Sequence, residues 1–371
     1  MTNSNKWQGF NKMDKIFVTQ PTLAPLDEYT ELLKTVWATG IMTHNGPLVQ
    51  RFEHDFCAHE GIDRMVAVTN GTIALQMAIR ALQLKGEIIT TPFSFIATVS
   101  SIIYEGCTPV FVDIDPDTFN MDPEKIEAAV TPCTVAIMPV HVFGNPCDID
   151  AIDSIAQKYH LKVIYDAAHG VGSTYKGKAL LSYGDISATS FHATKMLNTA
   201  EGGGCIASNE EIHKRLQMIR FFGYDDMKDV KIEGTNGKMT EVNAALGISN
   251  LKYLNAALAD RKKKYGIYKD ILSKRGDLRF QKITGSCNCS YFPVVFPTET
   301  ELLKAQDALL KENIVPRRYF YPSLNTYQTI LKPAKMPNSE ALADCILCLP
   351  LYYNLSEDMV EKIAGIVFSS K

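Results

Sequence analysis

No G-x-G-x-x-G follows a strand-like run in this sequence, and no G-x-x-x-x-G-K-[ST] occurs anywhere in it. Dinucleotide-binding and nucleoside-triphosphate folds therefore lose their main support. No window approaches the roughly 18 consecutive apolar residues of a membrane span. The opening "MTNSNKWQGFNKMDK" lacks the apolar centre of a signal peptide. Charge of one sign is also lacking. A net charge of -3 gives no global field that would draw the chain to nucleic acid or to an anionic membrane. The nine cysteines form no framework, and their odd number points to reduced thiols and a cytoplasmic setting.

Two close cysteine pairs stand at Cys287/Cys289 in "SCNCS" and Cys345/Cys348 in "CILC", whereas a zinc site wants two pairs at finger-like spacing with turn residues between the ligands. Ile346 and Leu347 fill the second gap and predict a buried strand, so no metal is expected. The run "RKKKY" at 261–265 falls in a helical pattern and reads as a solvated helix face. There is no internal repeat, low-complexity tract or long Gly/Ser linker.

What the chain does have is alternation. Between residues 65 and 208 the runs "MVAVTN", "EIITTP", "PVFVDI", "VAIMPVH", "KVIYDAA", "ISATSF" and "GCIAS" read as strands. Several are continuously apolar, as strands buried on both faces are. Helical stretches such as "TIALQMAIRALQL" lie between them, with apolar residues at three-and-four spacing. The fold class expected is α/β, a seven-stranded, mostly parallel sheet covered by helices. After residue 240 a long helical region leads into "YFPVVFP", another helix and "VPRRYFYP". That texture predicts a large domain over 1–245 and a smaller α+β domain over 246–371.

In an open parallel sheet, ligands sit outside the carboxyl ends of the strands. The first strand ends "VTNGTIAL", where Gly71 and Thr72 open a helix and offer unpaired N–H groups to a phosphate. An ordinary helix cap has the same sequence. The second ends "TTPFSFIAT", placing Phe95 where a flat ring would stack, although core packing is the commoner fate of a phenylalanine. The fifth ends "VIYDAAH", with Asp166 closing an apolar run and in need of a partner. His169 follows three residues on, as a site residue or a satisfied core histidine. The sixth leads into "SFHATKMLNTAEGGG", where Ser190 and a lone Lys195 stand in an uncharged stretch. A lysine in a desolvated pocket becomes a nucleophile toward carbonyls. Phosphate cradle, ring stack, buried carboxylate and nucleophilic lysine together match the needs of pyridoxal 5'-phosphate.

With those motifs in place, the chain resembles the DegT/DnrJ/EryC1/StrS family of sugar-nucleotide aminotransferases. These have the pyridoxal-phosphate fold type I, aspartate-aminotransferase-like architecture. The resemblance runs from "VTQPTLAPLDEY" to "RRYFYPSL", with "NGTIAL", "TPFSFIAT", "FVDIDPDTFNMDPEKIEAA", "PVHVFGNPCDIDAI", "VIYDAAH" and "SFHATK…EGGG" in family order. It implies that Lys195 holds the cofactor covalently and Asp166 faces the pyridine nitrogen. It implies that His169 approaches the phenolic oxygen, Phe95 stacks on the ring, and Gly71, Thr72 and Ser190 contact the phosphate. Asn236 matches an asparagine lent across a homodimer interface to the neighbouring phosphate. Around it this chain has Thr235, Gly237 and Lys238 where the family usually shows an aromatic and an arginine. Arg317 and Tyr321 are implied substrate contacts.

Within the family, "SFHATK" with "NTAEGG" is most similar to the viosamine-type enzymes. These aminate C4 of dTDP-4-dehydro-6-deoxy-D-glucose, in deoxyaminosugar biosynthesis of the kind that supplies O-antigen or lipopolysaccharide. The implied partners are a nucleotide-linked keto sugar, L-glutamate and a second copy of the chain, with no nucleic acid or membrane. The alternatives are C3 amination, a UDP-linked substrate, or a non-catalytic sugar-nucleotide-binding or regulatory protein on the same fold. Retention of both Lys195 and Asp166 weighs against the last.

Overall fold

The computed structural model describes residues 15–371. All seven strand-like runs form one sheet: β1 Met65–Val68, β2 Glu87–Thr90, β3 Thr108–Phe111, β4 Thr134–Met138, β5 Lys162–Asp166, β6 Ile186–Ser190 and β7 Gly203–Ala207. Their spatial order is β1-β7-β6-β5-β4-β2-β3. β7 is antiparallel to both its neighbours, while the pairs β2/β3, β2/β4, β4/β5 and β5/β6 are parallel. The carboxyl ends of β1 to β6 therefore share one rim with the start of β7. Gly203 stands opposite both Val68 and Ser190 there.

Continuous apolarity follows from cover on both faces. Along β1, Val66 and Val68 enter one core beside Leu75 and Met77 of the helix Gly71–Ala81. Met65 and Ala67 enter another with Phe52, Phe56 and Phe191. Successive side chains of a strand point to opposite faces, so both must be apolar.

The second core extends into the helix Glu241–Leu251, through Ala244, Ala245 and Ile248, and on to Leu254. The helix Leu254–Leu272 then leads to a smaller α+β body. There β8 Phe292–Val295 pairs antiparallel with β9 Ile346–Leu349. Tyr268, Phe292, Leu302 and Ile363 pack in its core. "CILC" thus crosses into a fully buried strand, as its apolar gap predicts. The short strand Ile16–Phe17 pairs in parallel with Ile314–Val315, so the first described strand lies on the small body, before the chain crosses to the large one.

Two carboxylates fasten distant helix starts. Glu241 accepts from Leu48 N (2.8 Å) and Val49 N (3.0 Å), capping the helix Pro47–Glu60. Asp113, at the start of "DIDPDTFN", accepts from Asn338 N, Ser339 N (both 2.9 Å) and Ser339 Oγ (2.8 Å). It caps the helix Pro337–Cys345 and so ties the small body to the large one.

The "RKKKY" run departs from its expected role. Lys262 and Lys263 are exposed, but Arg261 and Lys264 are buried on the face that meets the small body. Arg261 donates to Ser290 O (3.1 Å). Lys264 donates to Asp260 and to the carbonyls of Tyr352 (3.2 Å) and Tyr353 (2.6 Å). Charges at this spacing serve as donors to loop carbonyls that no secondary structure satisfies.

Candidate active site

The rim of the sheet opens into a cleft of about 290 Å³ between the two bodies. On one wall the helix Gly71–Ala81 begins. The Asn70 side chain caps it by accepting from Ile73 N (2.9 Å), which leaves the first N–H groups of the helix unused by the helix itself. Ser190, buried at the end of β6, closes against this start. A Cβ on Gly71 would lie 2.9 Å from Ser190 Cβ, and one on Gly203 would lie 2.5 Å from Asn70 C and O. Both glycines are therefore needed to bring three chain segments into one small cradle. Gly71, Thr72 and Ser190 all line it, together with the positive end of the helix dipole.

Asp166 ends β5 and is buried. Its Oδ2 accepts from Thr98 Oγ1 (2.7 Å) and its Oδ1 from Ala168 N (3.2 Å). Thr98 belongs to the helix Ile96–Tyr104 and also bonds Ser94 (2.7 Å). Burial raises the carboxyl above its ordinary value, against the pull of the Thr98 hydroxyl, the Ala168 N–H and Lys195.

Lys195 follows β6 on a tight turn in which its N–H donates to His192 O (2.9 Å). Burial pushes its ammonium down from 10.5 to about 8, with Asp166 acting in the opposite sense. At that value a usable share of the amine is free base near neutrality. The turn is pinned from behind by the helix Glu241–Leu251. Asn243 Nδ2 donates to Thr199 O and Glu201 O (both 2.7 Å), and Asn250 Nδ2 donates to Asn198 O (2.9 Å).

His169 lines the same cleft. Its Nδ1 faces the N–H of Phe143 (3.2 Å), so Nδ1 accepts and Nε2 carries the proton of the neutral ring. Burial, reinforced by the charge of Lys195, drives its pKa well below 6.5 and keeps it neutral. Phe95 precedes the helix Ile96–Tyr104 and is 57% exposed, lining the cleft rather than packing in the core.

The remaining two candidates on this side part company. Arg317 lines the cleft, its backbone paired with Cys348 and its guanidinium 4.7 Å from the Tyr319 ring centre. Tyr321 does not line it. Its ring lies 3.4 Å from the Arg318 guanidinium and is exposed, and Tyr319 and Phe320 stand at the cleft instead. Asn236 is exposed and outside this cleft, on an extended segment beside β1.

Residue reading missed Thr98, Tyr291 and the asparagine pins. Thr98 is the last residue of "TPFSFIAT", and Asn243 and Asn250 are seven apart in "TEVNAALGISN", hence on one helix face. Tyr291 carried no signal. It reaches the cleft because its ring packs 5.0 Å from that of His169. Among the described residues no three His, Cys, Asp or Glu side chains converge as a metal site, and no helix is long and apolar enough to cross a membrane.

These groups fit pyridoxal phosphate. There is a cradle that a Cβ would fill for the phosphate, and a buried carboxylate for a ring N–H. A neutral imidazole offers an N–H for a phenolic oxygen, and a depressed amine stands ready for an aldehyde.

Comparison with known proteins agrees. The family model described as "DegT/DnrJ/EryC1/StrS aminotransferase family" matches residues 26–368. A dTDP-4-amino-4,6-dideoxy-D-glucose transaminase of Shigella dysenteriae is 43% identical over 362 residues, 95% of this chain and 98% of that protein. One of the same name from Escherichia coli is 38% identical over 360 residues, 94% and 97% of the two chains. The crystal structure of DesI in the presence of its TDP-sugar product superposes with a TM-score of 0.91 at 30% identity, covering 97% of this chain and 93% of that one. The chain belongs to the DegT/DnrJ/EryC1/StrS aminotransferase family, and is a pyridoxal-phosphate-dependent enzyme of its fold.

Proposed function

We propose that this aminotransferase moves an amino group from L-glutamate to the C4 keto group of dTDP-4-dehydro-6-deoxy-D-glucose, giving dTDP-4-amino-4,6-dideoxy-D-glucose. The observation that carries the chemistry is the meeting of Lys195 and Asp166 in one cleft beside a phosphate cradle. The sugar is taken from the two relatives of that name, which match this chain along nearly its whole length. The cofactor supplies an electron sink for the pair left on the substrate carbon.

The chain's own groups do the rest. Lys195 Nζ would hold the cofactor through its aldehyde and, as the base at the reacting atoms, would take the proton from the substrate carbon and return it on the cofactor side. Asp166 keeps the proton on the ring nitrogen, and that charge would offset the cost of burying its carboxylate. His169 Nε2–H would donate to the phenolic oxygen. The N–H groups of Gly71 and Thr72 and the Ser190 hydroxyl would hold the phosphate, Phe95 would cover the ring, and Arg317 would meet the anionic substrate. In this reading the working unit is a homodimer in which Asn236 reaches the phosphate of the second copy. The nine free thiols suit the cytoplasm.

The test is a panel of dTDP- and UDP-linked keto sugars with glutamate, products being identified by mass and NMR. Transfer to C4 of the dTDP sugar is expected. Transfer at C3, or a preference for UDP, would replace the substrate assignment, and binding without transfer would overturn the enzyme reading. The shared site has its own test. Lys195→Ala chains mixed with Asn236→Ala chains should regain activity, because one site of each mixed dimer then draws both residues from unmutated chains. Verified mixed dimers without recovery would defeat it.

A further inference from the structure

The segment Thr235–Lys238 runs along the outer edge of the sheet. Lys238 bridges Val68 of β1, and Thr69 N donates to Gly237 O (2.9 Å). On its other side Asn236 bridges Phe221, and Gly237 N donates to Arg220 O (3.1 Å). Asn236 and Lys238 are two apart on an extended segment and share a face. They differ in depth, Asn236 being exposed and Lys238 buried.

The Lys238 ammonium lies 4.3 Å from the Phe222 ring centre and 5.0 Å from that of Phe221, over both faces. It also donates to Asn236 Oδ1. Its one cationic neighbour of note is otherwise engaged. Arg220 donates to Glu53 (2.5 Å) and to Ala67 O (3.1 Å).

An ammonium has only donors, so an amide beside it must present its oxygen. A free asparagine would offer either end outward. With Oδ1 held, neither N–H of the amide is spent on Lys238, and both remain on an exposed residue for an acceptor-only phosphate. We infer that Lys238 is a positioning residue that fixes the Asn236 amide with its donors turned outward, toward the cofactor phosphate of a second copy of the chain. The inference rests on the shared-site reading above. It accounts for a lysine at 238 whose charge is drawn inward over two rings rather than extended to solvent.

The test is a double-mutant cycle read as cofactor affinity, by equilibrium dialysis of pyridoxal phosphate, on proteins verified as folded dimers by circular dichroism and sedimentation. Asn236→Ala should weaken binding about tenfold, as one hydrogen bond to a charged group does. Lys238→Met, which keeps a chain over the rings but offers no donor, should weaken it about three- to tenfold. In the Asn236→Ala background the same change should have almost no effect. Lys238→Arg keeps a donor-only cation and should stay within about twofold of the parent. If the methionine disturbs packing, Lys238→Gln takes its place. Its amide both accepts and donates, frees the flip, and should show the same loss.

Unchanged affinity in Asn236→Ala would defeat the shared-site reading itself. Weakening in Asn236→Ala with none in the Lys238 variants would leave that reading standing and overturn this one. So would a Lys238 loss of equal size in both backgrounds.

Discussion

Lys195 owes its reactivity to position. Its pKa is depressed to about 8 against 10.5 in the open chain, so folding is opposed wherever the ammonium must be buried. Below pH 8 both states are protonated and the full penalty applies. Between 8 and 10.5 the unfolded chain binds more protons, and stability of the cofactor-free protein rises with pH. The whole effect is about 3 kcal/mol. Urea titrations of cofactor-free protein and of Lys195→Met should therefore converge as pH rises through that window, and a constant gap between them would contradict the assignment. Thr98 is the less visible partner. Its hydroxyl is one of two donors to the buried Asp166 carboxylate. Thr98→Val preserves shape and should slow the glutamate half-reaction about tenfold with the fold intact, as seen in single-turnover absorbance. Asp166 was legible because an acidic residue closing an apolar strand demands a partner. Thr98 was not, because a threonine on a helix has many uses and its partner is 68 residues away.

At the level of elements, the turn bearing Lys195 has no regular structure of its own. It is held by side chains from the helix Glu241–Leu251, whose Asn250 also accepts from Ala24 N (2.8 Å) while Asn198 donates to Thr22 O (2.9 Å). One buried asparagine therefore fastens both the turn and the entering chain. Asn250→Ala should cost about 2 kcal/mol by leaving Ala24 N and Asn198 O without a partner, seen as a lower urea midpoint. It should also weaken cofactor retention, because Lys195 is no longer held to the cradle. The seven strands could be read from the sequence because burial on both faces forces unbroken apolar runs. "RKKKY" could not. Helical spacing says which residues share a face, but only the neighbouring body decides that Arg261 and Lys264 sit on the covered one. Tyr321 stands outside this cleft for a related reason: in "RRYFYP" the aromatic residues crowd together, and only the path of the chain shows that Tyr319 and Phe320 line it.

Across the whole molecule, the cleft exists because the small body is clamped to the sheet's rim. Asp113 does this by capping a helix of the other body, with Asn338 Nδ2 adding a bond to Ile114 O (2.9 Å). The acidic motif around "DIDPDTFN" is thereby accounted for as architecture rather than chemistry. The sheet's rim gathers Gly71, Asp166, and Ser190 with Lys195 from three separate stretches of sequence. That convergence follows from strand order, which local sequence pattern alone does not give. The account stands or falls on Lys195 as the covalent anchor of pyridoxal phosphate. Reduction of the holoenzyme with borohydride, digestion and mass spectrometry read this directly. The cofactor mass should appear on the peptide that contains Lys195 and on no other, whereas a label on another lysine, or none at all, would contradict the account.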